Sequence, residues 1–150
     1  MDTEAIKQTK YKYLRCLDTK RWDELAETFT PDATAAYDSG RYTYEGRDAI
    51  MEFLRGALGS SKIVSMHHAH HPEIELVDAG SARGRWYLED MVIFTEANMI
   101  IRGAAFYEDR YVKLEGRWLI RHTGYVRTFE EMIGRGEVQN FRSMFEPTAK

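Results

Sequence analysis

Residues 81–95 read SARGRWYLEDMVIFT, and they alternate without a break. Ala82, Gly84, Trp86, Leu88, Asp90 and Val92 fall on one face, and Arg83, Arg85, Tyr87, Glu89 and Met91 on the other. A period of two held over this length predicts a long strand with one buried face. Asp78-Ala79-Gly80 supplies a turn before it. Residues 98–113 and 117–127 read as two further long strands, joined by a hairpin turn at Glu115-Gly116. Upstream, residues 62–69 and 73–77 are extended, with Pro72 marking a kink, a bulge or a sheet edge.

The first third of the chain carries a different period. Ile6, Tyr13, Leu14 and Leu17 recur at helical spacing and predict a helix over about residues 3–17. Asp18-Thr19 then breaks it. Trp22, Leu25, Ala26 and Phe29 form the stripe of a short second helix, which Pro31-Asp32 should end. Residues 33–44 should be two short strands about a turn at Asp38-Ser39-Gly40. Arg47 to Leu58 is a third helix, with Ile50, Phe53, Leu54 and Leu58 on one side. A last helix is expected near Phe129-Glu130-Glu131, opening a tail over 128–150 whose Phe141, Met144 and Phe145 should pack on the body. Helices first and long antiparallel strands after make an α+β protein, one domain over 1–150. The expected shape is a cone: a strongly curved antiparallel sheet covered by three N-terminal helices around an apolar hollow.

The totals fit a small globular domain. The chain has 150 residues, of which 43% are hydrophobic and 30% charged, so disorder is excluded. A net charge of −3 with scattered basic residues argues against a nucleic-acid partner. No apolar run is long enough to cross a membrane as a helix. Cys16 is the single cysteine, which rules out an intrachain disulfide. A polar, acidic N-terminus joins it in pointing to the cytoplasm. Aromatic residues reach 13%, suited to lining a pocket for a flat ligand as well as to filling a core.

Four features carry possible chemistry. Asp90 sits on the apolar face of its strand, so it is paired, protonated or functional, or else lies at a wet rim. The run Met66-His67-His68-Ala69-His70-His71 holds four of the five histidines. Alternation sends His67 and His71 to one face and His68 and His70 to the other, so no metal site of four converging histidines forms, and no metal is expected. His67 is then the inward general base or acid. Should Pro72 shift the alternation, His70 also turns inward, which keeps it among the ligand-contact candidates. Asp18 either caps the second helix or points into the cone to hold a histidine. Tyr13, Tyr37, Tyr42 and Tyr107 are pocket phenols or core filler, Trp86 shares the face of Asp90, and His122 shares that of Trp118 and Ile120.

These segments resemble the SnoaL-like branch of the nuclear-transport-factor-2-like superfamily, over about residues 6–127. The resemblance is carried by Leu17 to Leu25, Phe29 to Ala33, His67 to Leu76, Ala82 to Trp86, and Gly116-Arg117-Trp118. The branch includes scytalone dehydratase and bile acid 7α-dehydratase. The resemblance implies an acid–base set at Tyr13, Asp18, His67 and Asp90. Ligand contacts would come from Tyr37, Trp86, Tyr107, His70 and His122. The implied activity is a cofactor-independent lyase or isomerase acting next to a carbonyl of a hydroxylated polycyclic or aromatic molecule. A non-catalytic pocket protein for a hydrophobic small molecule and an assembly module of the same fold are the alternatives. A homodimer or homotrimer is implied under each. Ala105 and Tyr107 stand where scytalone dehydratase has polar pocket residues, which argues against scytalone as substrate.

Overall fold

The computed structural model describes residues 1–146. Helix α1 spans Asp2–Thr19, α2 Trp22–Ala26 and α3 Arg47–Leu58. The strands are β1 Phe29–Tyr37, β2 Tyr42–Glu45, β3 Ile63–Asp78, β4 Ser81–Phe94, β5 Met99–Leu114 and β6 Arg117–Gly134. They form one curved, open six-stranded sheet in the order β2-β1-β6-β5-β4-β3. Every pairing is antiparallel except β1 with β6. The helices cover its concave face. No helix among the described residues is long and apolar enough to cross a membrane.

Helix α1 buries Ile6, Lys10, Tyr13, Leu14 and Leu17 along one stripe. It ends at Lys20, whose backbone is left-handed at φ 58° and whose amide returns to Cys16 and Leu17 carbonyls. The Lys20 ammonium then donates to the carbonyls of Leu58 and Ile63. One side chain thus ties the end of α1 to the end of α3 and the start of β3, which fixes the last turn of α1 against the sheet.

Three bulges decide which side chains look inward. In β3 the register slips between His70 and Glu73, where His71 takes φ 47° ahead of Pro72. In β6, Arg121 is an extra residue between the pairs Tyr111–Ile120 and Arg110–His122. Thr128 is a second extra residue, between Ala105–Arg127 and Ala104–Phe129. The Glu115-Gly116 turn has positive φ at both positions, the geometry that suits the twist of the flanking strands.

Two sequence expectations fail. Phe29 belongs to β1 rather than to α2, which ends earlier at Ala26, and Pro31 lies inside β1, where the ladder with β6 is irregular, rather than at a helix end. No helix begins at Phe129-Glu130-Glu131: β6 runs on to Gly134 against the start of β5. The charged residues there suit a strand with one face in water, and the Thr128 bulge keeps it in register. Beyond it, Glu146 accepts from Ser61 at 3.0 Å and pairs with Lys62 at 2.8 Å, while Lys20 lies over the Phe145 ring. Met144 is exposed. The expected tail also includes residues 147–150, which lie outside the described residues.

Candidate active site

The concave face of the sheet encloses a cavity of about 460 Å³. One wall is aromatic: Phe53 of α3 stacks on Tyr37 and Tyr42, both at 5.5 Å between ring centres. Val92, Ile101 and Met132 from β4, β5 and β6 also line it, together with His67, Asp90 and Arg127.

Asp18 stands in the last turn of α1 and reaches across to β3. One carboxylate oxygen accepts from Ser65 Oγ at 2.8 Å and faces His67 Nδ1 at 2.6 Å. The other accepts from the His67 backbone amide at 2.7 Å. Against a carboxylate oxygen, Nδ1 must be the protonated nitrogen, which leaves the Nε2 lone pair free on a ring that borders the cavity. The capping alternative for Asp18 is not what the chain does: α2 begins after Arg21 with no side-chain cap. The His67 side chain is 9% exposed.

Asp90 lies opposite His67 on the neighbouring strand, on the same face. It is 6% exposed and is not left alone. Arg127 of β6 grips both of its oxygens, Nη1 at 2.5 Å and Nη2 at 2.8 Å. Burial alone would lower the Arg127 pKa, but the Asp90 carboxylate more than reverses this and raises it, so the guanidinium is a fixed positive charge. Gly103 faces Asp90 from β5, where a Cβ would meet the Phe129 carbonyl at 2.4 Å and Arg127 Nη1 at 3.2 Å. A side chain there would displace the pair.

Tyr13 and Tyr37 share a hydrogen bond at 3.1 Å between their hydroxyls, and both border the cavity with Tyr107. Burial pushes all three phenols well above their ordinary pKa, so they remain protonated donors. Tyr42 borders the cavity near its mouth.

The geometry therefore gathers Tyr13, His67, Asp90, Tyr37 and Tyr107 at one cavity, with Asp18 bonded to His67, and leaves out three expected ligand contacts. His70 is exposed on the outer face, because the β3 bulge comes after it and leaves the alternation intact. Trp86 is fully buried beyond the cavity, its indole N–H donating to Tyr111 at 3.0 Å. His122 is turned off the inner face by the extra residue Arg121 and bonds Thr34 at 2.6 Å. Its pKa is pushed down, chiefly by burial. Sequence reasoning missed Phe53 and Ser65 and, most consequentially, Arg127. Its signal was the apolar-face carboxylate at Asp90, which calls for a cation on a neighbouring inward position.

Comparison with known proteins gives one consistent answer. The sequence model of the SnoaL-like domain matches residues 1–124. An uncharacterized protein of Mycobacterium tuberculosis, Rv2910c, is 25% identical over 138 residues, spanning 88% of this chain and 89% of its own. A scytalone dehydratase-like protein of Novosphingobium aromaticivorans superposes with a TM-score of 0.80 at 22% identity, covering 98% of this chain and 95% of that one. Hexachlorocyclohexane dehydrochlorinase LinA-type3 of Novosphingobium barchaimii gives 0.81 at 18% identity, with 95% of each chain covered. At these identities the likeness in structure bears on the fold.

Proposed function

The chain belongs to the SnoaL-like family, and from its cavity we propose that it is a lyase of the dehydratase kind, acting on a flat hydroxylated aromatic or polycyclic carbonyl compound without a cofactor. One observation carries the reading: the Asp18–His67 hydrogen bond of 2.6 Å fixes a histidine tautomer whose free nitrogen belongs to a ring bordering an apolar cavity. Two of the similar structures bear names that denote eliminations, a dehydratase and a dehydrochlorinase.

The flat substrate would lie along the Tyr37–Phe53–Tyr42 wall. His67 Nε2 takes a proton from the carbon next to the carbonyl. The Tyr13–Tyr37 pair donates a hydrogen bond to the carbonyl oxygen as it gains charge. The β-hydroxyl then leaves, protonated by the His67 imidazolium, so that C–H and C–O bonds break, a C=C bond forms and water is released. Both oxygens of Asp90 are occupied by Arg127, so Asp90 acts as the anchor of a cation beside the leaving group rather than as the acid itself. Returning the proton to a different carbon would make the same site an isomerase. Self-association would use the outer sheet face, where Tyr87 and Phe106 pack at 4.4 Å and Val126 and Phe129 are exposed.

The test is a screen of hydroxylated aromatic ketones for loss of water by mass spectrometry, with parent, His67→Ala and Asp18→Asn proteins. Turnover by the parent should fall by about 10²–10⁴-fold in His67→Ala. Compounds that bind without turnover, equally in parent and variant, would replace the lyase by a binding protein.

A further inference from the structure

The histidine run of β3 serves the cavity with His67 alone. His68 and His70 point to the outer face of the sheet, and Glu89 of β4 lies directly opposite His68. His68 Nδ1 is 3.7 Å and His70 Nε2 3.9 Å from the same oxygen of Glu89. One donor atom from each residue lies within 4.8 Å of the other two. These gaps are too long for hydrogen bonds. They sit just above the distance between neighbouring ligands around tetrahedral zinc, about 3.3–3.5 Å when each bond is about 2.0–2.1 Å. Small side-chain rotations on an exposed surface close the difference.

The neighbourhood leaves this carboxylate available. Arg85 is held by Glu108 and Arg102 by Glu131, both at 2.7 Å. The residue facing Glu89 from β5 is Ala104, which offers no polar side chain to the carboxylate. The bulge at His71 holds a further imidazole 5.7 Å from the ring of His70.

We propose that His68, His70 and Glu89 form a site for a divalent transition metal, Zn²⁺ foremost, with an open fourth position. Two imidazoles and one carboxylate are the donors such ions favour, whereas Mg²⁺ and Ca²⁺ take oxygen ligands. The alternation argument against four converging histidines still holds. Counting histidines within one strand passes over a carboxylate contributed by the next. The metal sits back to back with the cavity, because the pair His68–Glu89 is the rung beside His67–Asp90. It would clamp β3 to β4 from outside at the point where His67 is presented.

The experiment is a calorimetric titration of the tag-free, metal-stripped full chain with Zn²⁺, with Cu²⁺ as a probe for electron paramagnetic resonance. One Zn²⁺ should bind per chain. His70→Ala and Glu89→Gln should each weaken binding by about tenfold or more, and His67→Ala should leave it unchanged. The Cu²⁺ spectrum should show nitrogen coupling that His70→Ala reduces. Melting of the variants in chelator, equal to the parent, separates lost binding from lost folding. Absence of saturable binding, binding that survives the His68→Ala/His70→Ala double variant, or binding that disappears with His67→Ala would overturn the site.

Discussion

Two polar clusters are buried under the same helices, and they are built to opposite ends. In one, His67, Asp90 and Arg127 border an open cavity, and the His67 ring, held by Asp18, keeps one nitrogen unengaged by it. Deeper in, Lys10 lies 2.8 Å from Asp109 and 3.3 Å above the centre of the Tyr107 ring. Asp109 also accepts from Tyr111 and Thr123, both at 2.7 Å, and Tyr111 accepts from Trp86. The deep cluster turns its charge and its hydrogen bonds on itself; its contact between Lys10 and Asp109 is ionic rather than a well-aligned hydrogen bond. Burial alone therefore does not mark a functional group. The proposed base differs in keeping one nitrogen unengaged by Asp18 on a ring that borders the cavity.

The strongest way to break this contrast is Asp109→Ala. It strands the Lys10 charge in the core and should cost about 3–5 kcal/mol of stability, read as a drop in urea midpoint. His67→Ala should lose only about 1 kcal/mol, since Asp18 keeps Ser65 and the His67 amide as donors. Equal losses from the two variants would erase the distinction.

Alkaline titration sharpens the contrast at the level of protons. Burial raises Tyr13, Tyr37, Tyr107 and Tyr111 well above 10.0. A group whose folded pKa is raised gives stability that is full below the unfolded value and is lost as pH climbs towards the folded one. Lys10 works the other way: burial lowers its pKa, Asp109 opposing, so its contribution grows as pH rises towards 10.5. Four phenols outweigh one amine. The melting temperature should fall as pH passes 10.0, and the share of the tyrosinate absorbance that belongs to these four buried phenols should appear only with unfolding. Ionisation of all nine tyrosines in a protein that is still folded would contradict the burial.

An effect as small as that of His67→Ala belongs to Tyr37→Phe, which removes the Tyr13–Tyr37 bond between the two clusters. About 0.5–1.5 kcal/mol should be lost, with the cavity wall kept because the ring still stacks on Phe53. A melting curve and a ligand titration measure the two parts separately.

Much of this was legible in the sequence because strand alternation is a local signal. The buried face of β4, with Ala82, Trp86, Leu88 and Asp90, follows from its period of two. The inward turn of His67 and the outward turn of His68 follow from the same rule. What could not be read depended on partners far along the chain. Arg121 and Thr128 are bulged because of how β6 meets β5, and no local pattern announces an extra residue there. The first slip took His122 off the inner face and set Arg127 inward, and the second turned Phe129 outward. Asp18 resolved in favour of the cavity because Lys20 locks the last turn of α1 against β3, again a contact between distant segments.

The parallel pairing of β1 with β6 has a consequence for synthesis. A chain leaving the ribosome presents α1, α2 and β1 first, yet β1 has only the short β2 beside it until β6 emerges. The apolar stripe of α1 must wait for strands made later. Topology of this kind closes long loops before it gains contacts, which slows folding. The apolar faces of the N-terminal segments therefore wait uncovered until β6 completes the sheet around them.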